Sequence, residues 1–360
     1  MVKVGVYYYP GWHRQESRSE YNSDSEWDIV RDAKTYFDGH YQPRIPLLGC
    51  VDDSKISTIE KQTDIALSYG IDAFIFDWYW KKGTKYFESS VKSFMKLDTK
   101  MEFALMYSWK LPRKSFPIGL TEPADPKDDR WVEANTKDFL NIMEYCSENY
   151  FNKKNYWTVD GKPYFVMYFI EGFVYKIGQD RLSDMIREGD SYLKKKGYNG
   201  LYAVGVVSNP PTVSNQYIKD LGFDALTGYN FLADFTREGK LFQDYSSLAN
   251  RRKIEWEVIH SRSKLPYIPS ISAGWDATPR GERVERLTEG MVFPWAPIVL
   301  NTNPENFGKH INQGLDFIKK TGQDTIHICA WNEWSEGAYL EPDLKCGYQF
   351  LEKIREIKSQ

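Results

Sequence analysis

The chain has 360 residues, of which 41% are hydrophobic and 27% charged, and its formal net charge is -3. That length can bury one large core. The near-neutral charge provides no basic field for nucleic acid, and no run approaches the roughly 20 apolar residues of a membrane span.

From the N-terminus, eight short apolar, β-rich runs follow one another at residues 2–8, 73–78, 102–107, 163–168, 201–207, 225–229, 266–271 and 325–330. Continuous apolar runs of this length suit strands buried on both faces. Helical spacing fills the gaps, at residues 57–69, 87–97, 131–149, 182–196, 216–221, 245–261 and 304–321. The first of these carries Ile59, Ile65, Ala66 and Tyr69 on one face and stops at Gly70. Lys194, Lys195 and Lys196 suit the negative end of a helix dipole. Alternating strand and helix predicts a parallel sheet, and eight strands predict a single (β/α)8 TIM barrel spanning residues 1–360 as one domain. An open doubly wound sheet is the alternative. It would want a Gly-rich phosphate loop after the first strand, where the chain reads Tyr7-Tyr8-Tyr9-Pro10-Gly11-Trp12. Long connections at residues 11–55, 109–130 and 275–304 each follow a strand, as the βα loops of a barrel's active face do.

Polar and aromatic residues gather where these strands end. Strand one runs out at Tyr8 and Trp12, strand two at Asp77, Trp78 and Tyr79, and strand three at Ser108 and Trp109. Strand five ends at Ser208 and Asn209, strand six at Tyr229 and Asn230, and strand seven at Trp275 and Asp276. Strand eight leads into Trp331-Asn332-Glu333-Trp334-Ser335-Glu336-Gly337. The aromatic excess, with 12 Trp and 25 Tyr, fits either sugar-stacking surfaces or a large aromatic core. Two carboxylates beside a scissile bond are the equipment of glycoside cleavage: one holds a proton for the leaving oxygen, the other acts as base or nucleophile. Neighbouring indoles would desolvate one carboxyl and push the two pKa values apart. A bare Glu-x-x-Glu pair is in most chains a solvated helix face. Its place after strand eight, between tryptophans, favours a catalytic pair in Glu333 and Glu336.

Other residues keep two readings. Asp77 contacts substrate or caps the following loop, and Trp78 and Trp80 face the site or pack on a helix. His327, in mid-strand, reads as a satisfied core histidine, and Asp128 and Asp129 as solvated charge. Glu341 and Asp343 start the last helix or close the loop before it. Cys50, Cys146, Cys329 and Cys346 form no CxxC pair and read as thiols of a reducing compartment, with a bridge left open. Five histidines in no HExxH arrangement give no metal signal, and no cofactor is expected. The opening residues read as a strand and not as a signal peptide, so the expectation is cytoplasmic. A trimmed secreted or periplasmic chain would read the same. Oligomeric state is not legible.

The segments GVYYYPGW at 5–12, GHYQPR at 39–44, YGIDAF at 69–74, FDWYW at 76–80, GKPY at 161–164, GWD at 274–276 and AWNEWSEG at 330–337 resemble, in this order, the WbsX-like proteins, a group related to glycoside hydrolase family 99. The resemblance covers nearly the whole chain. It implies a (β/α)8 barrel acting on polysaccharide without a metal. Family 99 enzymes cleave α-mannosidic bonds inside chains with retention, using a Glu-x-x-Glu motif that matches Glu333 and Glu336. By that likeness Glu333 draws the proton from the sugar 2-hydroxyl, O2 attacks C1 to form a 1,2-anhydro sugar, and Glu336 protonates the leaving oxygen and then deprotonates the water that opens the ring. O2 has to be trans to the leaving group, which implies a 1,2-trans glycoside such as an α-mannoside or α-rhamnoside. Asn332 and Ser335 stand around the glutamates where family 99 members commonly carry a histidine, so the sugar is left open.

A retaining, endo-acting glycoside hydrolase is therefore the first expectation. A glycosyltransferase of polysaccharide biosynthesis and a non-catalytic glycan-binding barrel are the alternatives. For the transferase, Asp52-Asp53 is the nearest approach to a DxD metal site. The expected partner is a polysaccharide or oligosaccharide. The expected contacts are Tyr8, Trp12, His40, Gln42, Asp77, Trp78, Trp109, Tyr229, Trp275, Asp276, Trp331, Asn332 and Trp334, with packing near the mouth as the competing role. Arg44 and Arg280 orient a substrate carboxylate or bridge loops.

Overall fold

The computed structural model describes residues 2–13, 25–113, 116–121, 130–207, 218–235 and 240–358. All eight apolar runs form barrel strands: β1 (Lys3–Tyr8), β2 (Ala73–Lys81), β3 (Glu102–Ser108), β4 (Lys162–Tyr168), β5 (Tyr202–Val206), β6 (Ala225–Thr227), β7 in two pieces (Tyr267–Ile268 and Ser270–Ser272) and β8 (Thr325–Cys329). Each pairs in parallel with its neighbours, and β1 joins β2 to β8 through Gly5, opposite Ala73 on one side and His327 on the other. The first piece of β7 pairs with β6 and the second with β8, so the sheet closes across Pro269, which has no N–H to give to a ladder. Among the described residues, no helix is long and apolar enough to cross a membrane.

Helices cover the outside, at Ile56–Ser68, Ser89–Phe94, Thr136–Asn149, Gln179–Lys195, Tyr245–Ser263 and Pro304–Thr321. Local chemistry sets their starts. The Asn135, Asp244 and Asn303 side chains accept from the backbone N–H three residues on, and Pro304 occupies the first turn, where its missing N–H costs nothing. The Asn135 cap starts its helix at Thr136, five residues later than the sequence pattern indicated, because Trp131 is still extended against Lys110. The stretch foreseen at 216–221 contains a 3-10 turn at Ile218–Asp220, with residues 216 and 217 outside the described residues. Trp27–Arg31 and Ile170–Ile177 are helices the sequence reading did not foresee, and the last helix, foreseen without bounds, is Gln349–Lys358. The last of them begins well after Glu341 and Asp343, which close the loop before it: Glu341 accepts from Gln62 and Trp334, Asp343 from Tyr339 and Cys346. All four cysteines are free thiols.

Strand alternation sorts the aromatics. In β2, Ala73 and Ile75 point into the barrel, while Phe74, Phe76, Trp78 and Trp80 belong to the core between strands and helices. In β1, Tyr7 is inside and Tyr8 outside. Inside, Trp157 stacks on Tyr164 at 4.1 Å near His327, so the barrel is a packed core and not a pore. His327 is the satisfied core histidine expected, within 3.1 Å of the Tyr7, Tyr164 and Thr227 hydroxyls. Burial pushes its pKa down to about 3 and keeps it neutral.

Candidate active site

The inward parity that places Ala73 and Ile75 in the barrel carries Asp77 and Tyr79 to its C-terminal mouth. There a cavity of about 530 Å³ opens between the βα loops. Of the residues expected from sequence, Asp77, Trp109, Tyr229, Trp275, Glu333 and Glu336 line it.

The two glutamates arrive by a tight hairpin. Asn332–Glu333 pairs antiparallel with Ala338–Tyr339 around a 3-10 turn at Trp334–Glu336. Gly337 closes the turn at φ 65°, a left-handed conformation natural to glycine. A Cβ there would also stand 2.6 Å from Nη2 of Arg44. Arg280 binds the result together. Its guanidinium donates to Glu336, lies 3.4 Å from Glu333 and 3.3 Å from Glu26, and donates to the Ser335 hydroxyl at 2.9 Å. Glu26 in turn accepts from the Ser335 hydroxyl at 2.7 Å and from the Tyr9 hydroxyl. Burial alone would depress the Arg280 pKa, but Glu336, Glu26 and Glu333 together hold it well above its usual value. Burial lifts the Glu333 carboxyl well above the usual range, the charge of Glu336 lifts it further, and Arg280 opposes both. Burial also raises Glu336, with Arg280 again opposing. On the other side of Glu333 the Tyr229 hydroxyl donates to it at 2.8 Å and lies 3.2 Å from Asp77.

The other expected contacts lie away from the cavity. Tyr8, Trp78 and Trp331 face outward into the strand–helix core, which follows from their parity. Asn332 exchanges two hydrogen bonds with the backbone of Tyr9, at 2.8 and 2.9 Å, and extends the β1–β8 ladder by one side chain. Trp12, Trp27 and Trp334 form an aromatic clamp that ties the first loop to the hairpin, and the Trp334 indole donates to Glu341 at 2.7 Å. Burial pushes Glu341 up to about 7, against the Trp334 and Gln62 hydrogen bonds. His40, Gln42 and Arg44 converge on Asp276 at 3.0, 2.8 and 3.1 Å, and the Asp276 N–H donates to the Glu336 carbonyl at 2.7 Å. Burial opposes the Asp276 charge, but Arg44, His40 and Thr278 hold its carboxyl well below the usual carboxylate range. This group braces the hairpin from behind, and Arg44 bridges loops. Ser208, Asn209, Asp128 and Asp129 lie outside the described residues. Asp52 and Asp53 sit with His13, their possible ligand atoms within 4.8 Å of one another. Asp53 pairs with His13, and Asp52 accepts from the Ser54 N–H at 2.9 Å.

Tyr79, expected at the mouth though not among the contacts, lines the cavity too, while Glu26, Tyr9 and Tyr168 line it and were not foreseen. Parity would have found the two tyrosines, since Tyr9 and Tyr168 each stand two residues beyond an inward neighbour, Tyr7 and Val166. Glu26 precedes Trp27 as Glu333 precedes Trp334, and an acid beside an indole was its one signal.

A family model described as Glycosyltransferase WbsX matches residues 4–354. WxcX of Xanthomonas campestris pv. campestris, described as uncharacterized, is 25% identical over 92% of this chain and 46% of its own length. The glycoprotein endo-alpha-1,2-mannosidase of Rattus norvegicus is 24% identical over 88% of this chain and 61% of its own. The chain thus spans about half the length of these curated relatives, somewhat more for the mannosidase. Among solved structures, the GH99 endo-alpha-mannosidase of Bacteroides thetaiotaomicron superposes with a TM-score of 0.63 at 14% identity, over 99% of this chain and 96% of that one. The likeness extends to the fold: both are (β/α)8 barrels.

Proposed function

The chain belongs to the WbsX glycosyltransferase family, and from that premise we propose that it is a retaining glycoside hydrolase acting within a polysaccharide on a 1,2-trans glycoside. The observation that carries this reading is the pairing of Glu333 and Glu336 on one buried arginine, facing a cavity walled by Trp109, Tyr229 and Trp275. A general acid has to keep its proton near neutral pH, and burial is what allows a glutamate to do so. In this reading Glu336 protonates the leaving oxygen. Glu333 takes the proton of the sugar 2-hydroxyl, O2 closes on C1, and water later opens the anhydro ring as Glu336 accepts its proton. Arg280 steadies both carboxylates and limits how far burial raises them. The rings offer flat faces for the sugar's C–H surface. An α-mannoside or α-rhamnoside has the required trans 2-hydroxyl, and the mannosidase named among the relatives supports the first.

The test is product release from polysaccharides rich in α-mannose or α-rhamnose, with wild type beside Glu333→Gln and Glu336→Gln. Cleavage by wild type alone is the expected result, with no turnover of a 2-deoxy analogue. Binding without cleavage by all three proteins would replace the reading with a glycan-binding barrel. The family's description favours transfer as the second reading. Nucleotide-sugar binding in calorimetry, with no hydrolysis of any glycan, would establish that instead.

A further inference from the structure

Among the described residues, one carboxylate of the cavity has no cation. Arg280 reaches Glu26, Glu333 and Glu336, whereas among the described residues Asp77 has a single hydrogen-bond partner, the Tyr229 hydroxyl. Its Oδ1 is buried and unpartnered. Among the described residues, the titratable groups whose charges act on it are Tyr7, Tyr79 and Cys329 on the barrel strands, Tyr168 and Tyr229 at the mouth, and Glu333 and Glu336 on the hairpin. All are acids.

Tyr229 has one proton to give and two carboxylates within reach, Glu333 at 2.8 Å and Asp77 at 3.2 Å. The shorter contact takes that proton. The longer one then brings two oxygens together with no hydrogen between them, unless Asp77 supplies it.

We propose that Asp77 is a protonated positioning residue: its carboxyl O–H donates to the Tyr229 oxygen, turns the Tyr229 hydroxyl onto Glu333, and keeps Glu333 ionised as the base. The inference rests on the role given to Glu333 above and explains how that role survives burial. Glu333 is buried beside another carboxylate, which favours its protonated form. A neutral Asp77 removes one nearby negative charge, and the aligned Tyr229 hydroxyl stabilises the anion. Burial pushes the Asp77 carboxyl well above its usual range, with the Tyr229 hydrogen bond opposing and the charge of Glu336 adding, in keeping with this assignment. The proton balance closes without consuming the one on Asp77. Glu333 takes the 2-hydroxyl proton as O2 bonds to C1 and returns it to O2 when water opens the ring.

Infrared difference spectroscopy of the free protein tests this with no substrate present. At neutral pH, Asp77→Asn should lose the carbonyl stretch of one buried carboxylic acid, and Glu333→Gln should keep it. Tyr229→Phe should keep the band but move it to higher frequency, because the acid loses its acceptor. Loss of a carboxylate band in Asp77→Asn, or an unmoved band in Tyr229→Phe, would overturn the proposal. In glycan cleavage, Asp77→Asn, whose amide N–H donates as the acid did, should stay close to wild type in kcat, while Asp77→Ala loses roughly tenfold or more. Equal losses in both would also overturn it. The infrared result stands whether or not a cleaved glycan is found, so the two readings fail separately.

Discussion

Replacing Arg280 with Met removes the cation on which three buried carboxylates depend. The arginine side chain keeps 11% of its surface, Glu333 6%, Glu336 12% and Glu26 1%, so solvent screens little of the interaction. An exposed ion pair is worth about 0–1 kcal/mol, but breaking a buried one leaves uncompensated charge and costs about 3–5 kcal/mol. The loss should depend on pH in a fixed direction. Burial already places the folded-state pKa of Glu333 and Glu336 above the ordinary value of 4.5, so the folded state binds more protons than the unfolded one. The contribution of these groups to stability therefore falls as pH rises above that value. Without Arg280 both pKa values rise further and the slope steepens. Guanidinium unfolding at pH 7.5 and pH 5 should show the full deficit at the higher pH and a smaller one at the lower. A deficit under about 1 kcal/mol at pH 7.5, in the range of an exposed pair, or an equal deficit at both pH values, would refute the account of Arg280 as the counter-charge of the cluster.

Three further substitutions probe the supports of the site. Asp276→Asn strands Arg44 behind the hairpin and should cost about 3–5 kcal/mol at neutral pH in the same assay. Because the Asp276 carboxyl is held below 3.8, its contribution is present above that pH, and the gap to wild type should narrow as pH falls through and below it. Gly337→Ala puts a side chain into a left-handed residue at about 1–2 kcal/mol and against Arg44, and glycan cleavage should fall more steeply than unfolding stability. His327→Leu leaves the Tyr7 and Tyr164 hydroxyls short of a partner, at about 1–3 kcal/mol. It should also remove the part of the stability that wild type loses between pH 6.5 and 3, where unfolded His takes up a proton and folded His327 does not, as a pH series of unfolding free energies would show.

The barrel was legible because each strand is an apolar run long enough to cross the sheet and each gap carries helical spacing or a cap such as Asn303-Pro304. Local chemistry of that kind is written residue by residue. The carboxylate pair was legible too, since ionisable groups among tryptophans after a last strand need a reason. Which neighbours share the cavity was harder to read. Trp78 and Asp77 are adjacent in sequence and face opposite sides of one strand, so nearness along the chain said nothing about nearness to the site, though strand parity did. Asp276 looks like a sugar contact in sequence and serves as the anchor of His40, Gln42 and Arg44, which arrive from more than two hundred residues away. Glu26, Arg280 and the hairpin come together only because the barrel closes, bringing the first, seventh and eighth loops to one place. A closed sheet makes neighbours of its first and last strands, and no local pattern records what their loops will meet. The sequence by itself determined the strands, the helices and the chemistry available at the mouth. The tertiary structure decided which charges are paired, which carboxylate is left without a cation among the described residues, and which aromatics form walls of the cavity and which its frame.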